Sequence, residues 1–234
     1  MSESQITVHR RALQQDMYYK GNIVLSYSVD YPYFTSDKYQ KTLDKLNAYY
    51  ETRAYMYVQS DIMKLYQLAI ADFEYAKAND FTPRPYEVKT IFNVTYNQNC
   101  AISLYFDSYQ YTGGAHGSTV RKSDSWNIAG SSPIRLHDLF PMTDDVDNYI
   151  IDTITKQIRD ENTSGDSQYF DNYEELVREN FNPNSFYLND EGVTIYYQQY
   201  DIAPYSSGIP EFLIPYGNGG AVRPEYCTRT SERP

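Results

Sequence analysis

From Gly21 onward Ile23, Leu25, Tyr27, Val29 and Tyr31 alternate with Val24, Ser26, Ser28 and Asp30. That period of two predicts a strand with its odd-numbered face buried, ended by Pro32. Ser36 reads as a helix N-cap, and no proline or glycine follows it until Pro83. Tyr39, Leu43, Leu46 and Tyr50, then Val58, Ile62, Leu65, Ala69 and Phe73, recur at helical spacing. They predict one long helix or two consecutive ones through about Ala78, with a stripe that packs across a sheet. Asn79 and Asp80 end it, and Pro83 and Pro85 block its continuation. Val88, Phe92, Val94 and Tyr96 predict a strand over 86–96. After a turn at Asn97-Gln98-Asn99, Ile102, Leu104 and Phe106 predict its hairpin partner. A return strand is expected over 118–128 and a turn at Ala129–Pro133, after which the segment Ile134–Phe140 stops at Pro141. Val146, Ile150, Ile154 and Ile158 predict a helix capped by Thr143, with Asp144, Asp145 and Asp147 at its positive end. Beyond an exposed loop over 162–172, a short helix near Tyr173–Asn180 is expected. A hairpin follows, Phe186–Leu188 with Val193–Tyr197, and then a last strand at Glu211–Ile214. Residues 6–16 show no firm pattern, and the last ten look frayed. The fold class is α+β, with antiparallel sheets packed with one long N-terminal helical segment and one shorter central helix.

Composition changes this picture in three places. Among 234 residues there are 27 tyrosines against 10 phenylalanines and one tryptophan. Tyrosine buries a ring while its hydroxyl reaches water or a partner, so many should lie half-exposed on sheet faces and at interfaces, unless tyrosine simply replaces phenylalanine in the core. The net charge of −11 sets nucleic acid aside, because phosphate binding needs a basic footprint, and suits a cationic partner instead. Cys100 and Cys227 stand 127 positions apart and either form one long-range disulfide or, as the default, are two unrelated buried thiols. A chain of this length can bury a sizeable core without such a staple.

No apolar run reaches the ~20 residues that span a bilayer. Met1–Gln5 lacks the parts of a signal peptide, so the expectation is either a cytosolic protein or a chain that starts after a removed targeting segment.

The chemistry concentrates in Asp107–Gly117, where a clear strand runs into Gly113, Gly114, Ala115, His116 and Gly117, with Tyr109 and Tyr111 just before. Glycines there allow a sharp turn and a close backbone approach to a visitor. The plainer reading is a structural turn in which His116 bonds a neighbouring carbonyl. A second loop, Tyr200–Gly208, holds Pro204, Tyr205 and Ser206. Rigid amphipathic tyrosines beside glycine and proline are the residue types that anchor interfaces, and their faces also suit sugar rings. For catalysis there is little. G-x-S-x-G and H-E-x-x-H are absent, His9, His116 and His137 are not spaced as metal ligands, and only His137 has an adjacent carboxylate, Asp138. Asp107 and Asp201 flank the two loops and would serve as an acid and base pair if folding brought them within reach. No cofactor motif and no metal site are expected.

Five segments occur in register: Tyr111–Gly117, Leu136–Phe140, Phe186–Tyr197, Tyr200–Gly208 and Leu213–Tyr216. Together they resemble the extracytoplasmic domain of RsiV-type anti-sigma factors and the N-terminal, non-catalytic part of PdaC-type peptidoglycan deacetylases, over roughly residues 20–216. The resemblance implies a PdaC-like part over 1–120 and an RsiV-like part over 121–234, intimately packed on the first. It implies an extracytoplasmic location behind a targeting segment or anchor that this chain lacks, with membrane contact only through that anchor. It also implies that Tyr111–Gly117 and Tyr200–Gly208 are neighbouring loops forming one contact surface. In lysozyme-sensing members such a surface receives lysozyme, a cationic protein. The expectation is a non-catalytic binding or sensor domain for lysozyme or another cationic envelope protein. The alternative is a glycan-binding or glycan-hydrolysing module that takes peptidoglycan fragments on the same loops. Neither a sigma-binding segment nor a deacetylase domain is present to carry those activities over.

Overall fold

A computed structural model describes residues 6–141, 143–162, 168–217 and 220–227. They form α+β structure with two sheets, one ordered β1-β2-β3-β4-β5-β6 and one ordered β7-β8-β9. The chain groups into two compact units, Ile6–Phe92 with Phe106–Val120, and Asn93–Tyr105 with the residues from Arg121 onward. Strands β3 (Tyr86–Gln98), β4 (Ala101–Tyr111) and β5 (Ser118–Asn127) each contribute residues to both. No helix among the described residues is long and apolar enough to cross a membrane.

In the first unit β1 (Thr7–Tyr19) pairs antiparallel with β2 (Asn22–Thr35) along its whole length. Helix α1 (Gln40–Tyr57), a wider π turn at Val58–Ile62 and helix α2 (Met63–Ala78) then form one continuous helical run. They return the chain to β3, which lies parallel to β2 over Leu25–Val29. A parallel pair needs a crossover of a dozen residues or more, and the helical run supplies it. The expected stripe is buried at Leu43, Leu46, Tyr50, Ile62, Ala69 and Phe73, while Val58 and Leu65 are only half-buried, at and just after the π turn.

Three expectations fail here. Residues 7–19 are a strand without a pattern, because none of its side chains is buried and no alternation is needed. Strand β2 is buried on both faces (Val24 and Asp30 as well as Leu25, Val29 and Tyr31) and runs past Pro32 to Thr35. The reason lies two residues on. The Phe34 N–H and C=O both bond to the buried side-chain amide of Asn47, at 2.7 and 2.9 Å, so they point away from β1. Pro32 has the same direction by the two-residue period, and the β1–β2 ladder therefore never needs the N–H that proline lacks. Finally, the helix begins at Gln40 rather than at Ser36, whose N–H bonds the Gln40 side chain and whose hydroxyl accepts from the Lys38 N–H.

The second unit packs helices α3 (Val146–Asn162) and α4 (Tyr173–Glu179) with the sheet of β7 (Phe186–Leu188), β8 (Gly192–Tyr196) and β9 (Glu211–Pro215), all antiparallel. Ile150, Ile154 and Ile158 of α3 share one core with Val193, Ile195 and Phe212. Asp145, not Thr143, caps α3, since its carboxylate accepts from the Asn148 N–H. Asn99 and Cys100 make the β3–β4 turn, with φ of 52° and 58°, the double left-handed geometry of a tight hairpin. A short β6 (Ser132–Pro133) closes the first sheet. Contrary to the default reading of the thiols, Cys100 and Cys227 form a disulfide. The Tyr226 N–H also bonds the Asn99 carbonyl, so residues 226–227 are tied down rather than frayed. Residues 163–167 of the expected loop over 162–172, and the tail from 228, lie outside the described residues.

Candidate functional site

The glycine loop belongs to the first unit, the Tyr200–Gly208 loop to the second, and each is described in its own unit. Where β4 ends, Gly113 takes φ +81°, which only glycine adopts without strain. Arg84, fixed between Pro83 and Pro85, donates its Nη1 to the carbonyls of Gly113 and Gly114, both at 3.3 Å. Gly117 is buried under the ring of Tyr109; a Cβ there would overlap that ring and lie 2.6 Å from the Gln110 carbonyl. His116 Nδ1 donates to the Gly117 carbonyl at 2.9 Å, the bond expected of a structural turn. Tyr109 thus serves the loop itself, Tyr111 is half-buried, and Gly114, Ala115 and His116 are exposed. Behind the loop the Tyr86 hydroxyl donates to Asp72, and burial with that carboxylate pushes it up to about 12. Arg84 was not anticipated, and its signal was the flanking pair of prolines that fixes its backbone.

In the second unit, Tyr200 has φ +70° and is 55% exposed. A bulky side chain in the left-handed region is a genuine outlier, held only where its surroundings over-determine it. They do so here. The Asp201 carboxylate accepts from the Gln198 N–H at 2.7 Å, and the Asp201 carbonyl accepts from Asn180 Nδ2 at 2.9 Å. Burial raises the Asp201 carboxyl above its ordinary range, against the opposing effect of that Gln198 bond. Ile202 and Ala203 follow as buried anchors. Pro204 then leads into a single 3₁₀ turn, Tyr205–Ser207, which closes at Gly208 with φ +70°. The Ser207 hydroxyl donates to the Gln168 carbonyl at 2.8 Å. The outcome is that the rings of Tyr200 and Tyr205 stand 5.9 Å apart, 32° from parallel.

The loop is tied to β5 through Gln198. Its side-chain amide accepts from the Arg121 N–H at 2.9 Å and donates to the Arg121 carbonyl at 2.8 Å, as a neighbouring strand would. Arg121 is itself buried. Its guanidinium pairs with Glu211 and lies 3.8 Å over the Tyr105 ring, and the Tyr187 hydroxyl donates to Glu211 at 2.9 Å. Burial first, and the Glu211 carboxylate second, raise the Tyr187 hydroxyl. No sequence signal marked Arg121 or Glu211, which meet across 90 positions.

The other candidate groups have ordinary engagements. Asp138 pairs with Arg135, so His137 turns from it to Asp147, at 2.8 Å. His9 meets the Thr35 hydroxyl. Asp107 belongs to the first unit and Asp201 to the second. Among the described residues no group of three or more histidine, cysteine, aspartate or glutamate side chains is placed to hold a metal ion.

Residues 20–119 match the family model described as Deacetylase PdaC, and residues 137–217 the one described as Protein of unknown function (DUF3298). A curated relative, the peptidoglycan-N-acetylmuramic acid deacetylase PdaC of Bacillus subtilis, is 23% identical over 115 residues. That match takes in 49% of this chain but only 21% of the relative's length. Two solved structures share the fold. A DUF3298 family member from Bacteroides fragilis aligns at TM-score 0.68 and 19% identity, over 91% of each chain. Another, from Pseudomonas aeruginosa, aligns at 0.56 and 18% identity, over 94% of this chain and 96% of that one.

Proposed function

From a chain that carries a PdaC-type segment followed by a DUF3298 segment, we propose a non-catalytic extracytoplasmic binding or sensor domain. The observation that carries the reading is the Tyr200–Tyr205 pair, an exposed ring beside a half-buried one on a loop whose strained backbone is fixed from below. Ordered tyrosines of this kind give contact area at little entropic cost on binding. The extracytoplasmic location is supported by the Cys100–Cys227 disulfide, a bond that persists in oxidising compartments. The proposed partner is a cationic protein such as lysozyme, attracted by a net charge of −11. In the same reading Tyr200, Pro204, Tyr205, Ser206 and Gly208 supply the contact surface of the second unit.

A second reading has its own support. The Bacillus subtilis relative is a deacetylase of peptidoglycan, and a pair of tilted tyrosine rings suits sugar faces. Peptidoglycan fragments are then the ligand on the same tyrosines, without turnover.

Calorimetric titration separates these. With lysozyme, heat should be seen at low salt, affinity should fall at moderate salt by screening, and Tyr205→Ala should weaken binding by about tenfold. Heat from muropeptides that is insensitive to salt, and silence from lysozyme, selects the glycan. Silence from both, or binding that Tyr205→Ala leaves intact, removes this loop as the contact surface.

A further inference from the structure

We propose that β1 is a docking strand for a second copy of this chain, paired antiparallel about Leu13. The strand is the outermost of its sheet, thirteen residues long, without proline and without a buried side chain, and its one irregularity lies at Met17/Tyr18, near its end. An edge of that length is an open template unless something covers or breaks it.

The direction of its backbone groups follows from Asn47. Phe34 gives its N–H and C=O to that side chain, so the facing pair Val8 and Phe34 exchanges no ladder bonds. By the two-residue alternation, Arg10, Ala12, Gln14 and Asp16 also direct their backbone groups to the free side, whereas Arg11, Leu13 and Gln15 direct theirs to β2. A second β1 must therefore pair even positions with even ones. One such register sets Arg10 opposite Asp16, namely the register with Leu13 opposite Leu13. By its two-fold symmetry it makes that charge pair twice, sets Ala12 against Gln14 and Arg11 against Gln15, and brings no like charges face to face.

The side chains permit it. Arg10 gives Nε and Nη2 to Asp30 yet is 65% exposed, and Asp16 accepts only a surface bond from the Ser26 hydroxyl.

The test is sedimentation velocity over a concentration series with two reporters. Leu13 would meet its own copy at a non-hydrogen-bonded position, where side chains approach most closely. Leu13→Cys should therefore oxidise to a covalent dimer, while Gln15→Cys, which faces Arg11, should stay monomeric under the same oxidant. Asp16→Lys, which sets lysine against Arg10, should weaken the dimer about tenfold or more. Far-ultraviolet circular dichroism checks that each variant is folded. A chain that stays monomeric at about millimolar concentration overturns the proposal. So does a dimer that ignores Asp16→Lys, or equal cross-linking of the two cysteine variants.

Discussion

Removing the Cys100–Cys227 bond should destabilise the second unit more than any surface change. The bond closes a loop across 127 positions. Loop-closure entropy for such a ring amounts to roughly 5 kcal/mol at 25 °C, and residual order in the unfolded chain brings the expected loss to about 2–4 kcal/mol. The hydrogen bonds of the tied tail, Tyr226 N–H to the Asn99 carbonyl and Val222 N–H to the Leu139 carbonyl, should weaken with it. Cys100→Ser and Cys227→Ser remove the same constraint, so each should cost the same and the double variant little more than either. Serine accepts the φ of 58° at position 100 no worse than cysteine does, which keeps the two sides comparable. Urea unfolding followed by circular dichroism reads the loss, and wild-type protein in excess reductant should unfold with the variants. For a chain of this size about 2–4 °C of melting temperature goes with each kcal/mol, so a shift near 10 °C is expected. Additive costs for the two serines, or a total below about 1 kcal/mol, would refute the loop-closure account.

Gly117→Ala sets a Cβ into the Tyr109 ring and 2.6 Å from the Gln110 carbonyl, and should cost about 1–3 kcal/mol by overpacking, read in the same urea experiment. An unchanged midpoint would mean that Tyr109 is not packed on the turn. The third prediction concerns alkaline pH. The Tyr86 hydroxyl is raised to about 12, while the unfolded chain releases that proton near the ordinary value of about 10. Its contribution is therefore complete below pH 10 or so and is lost as pH rises through 12. The stability gap between wild type and Tyr86→Phe should close over that window, and a gap that holds constant through it argues against the Asp72 bond.

Elements with one buried face were legible because burial writes its period into the residues. The α1–α2 stripe, the Ile150–Ile158 row of α3 and the β7–β8 hairpin are read that way. Strand β1 was illegible for the same reason inverted. With no side chain buried, its order comes from backbone pairing to β2, and pairing leaves no mark on composition. Pro32 misled because a proline stops a strand only where the ladder needs its N–H, a fact of register that becomes visible once Asn47 is seen to hold Phe34. The disulfide and the Arg121–Glu211 pair join residues 127 and 90 positions apart, and no local rule reaches that far.

The two loops show a different limit, one of meaning. Glycine beside tyrosine and histidine is what a contact surface needs, and it is also what a tight turn needs. In the first loop the turn takes most of it, with Tyr109 spent on Gly117 and His116 Nδ1 on the next carbonyl. In the second loop the division runs the other way. Asp201, Asn180 and two buried residues hold the backbone, and the Tyr200 ring is left outside against a half-buried Tyr205. Composition is alike in the two cases; what distinguishes them is where the strain is spent. Gly113 and Gly208 take positive φ at little cost, but Tyr200 does so against its own side chain. A fold that needed only a turn would have been served better by glycine or asparagine at that position. The exposed ring is therefore the part of the loop that packing does not explain, and it is where a binding experiment should begin.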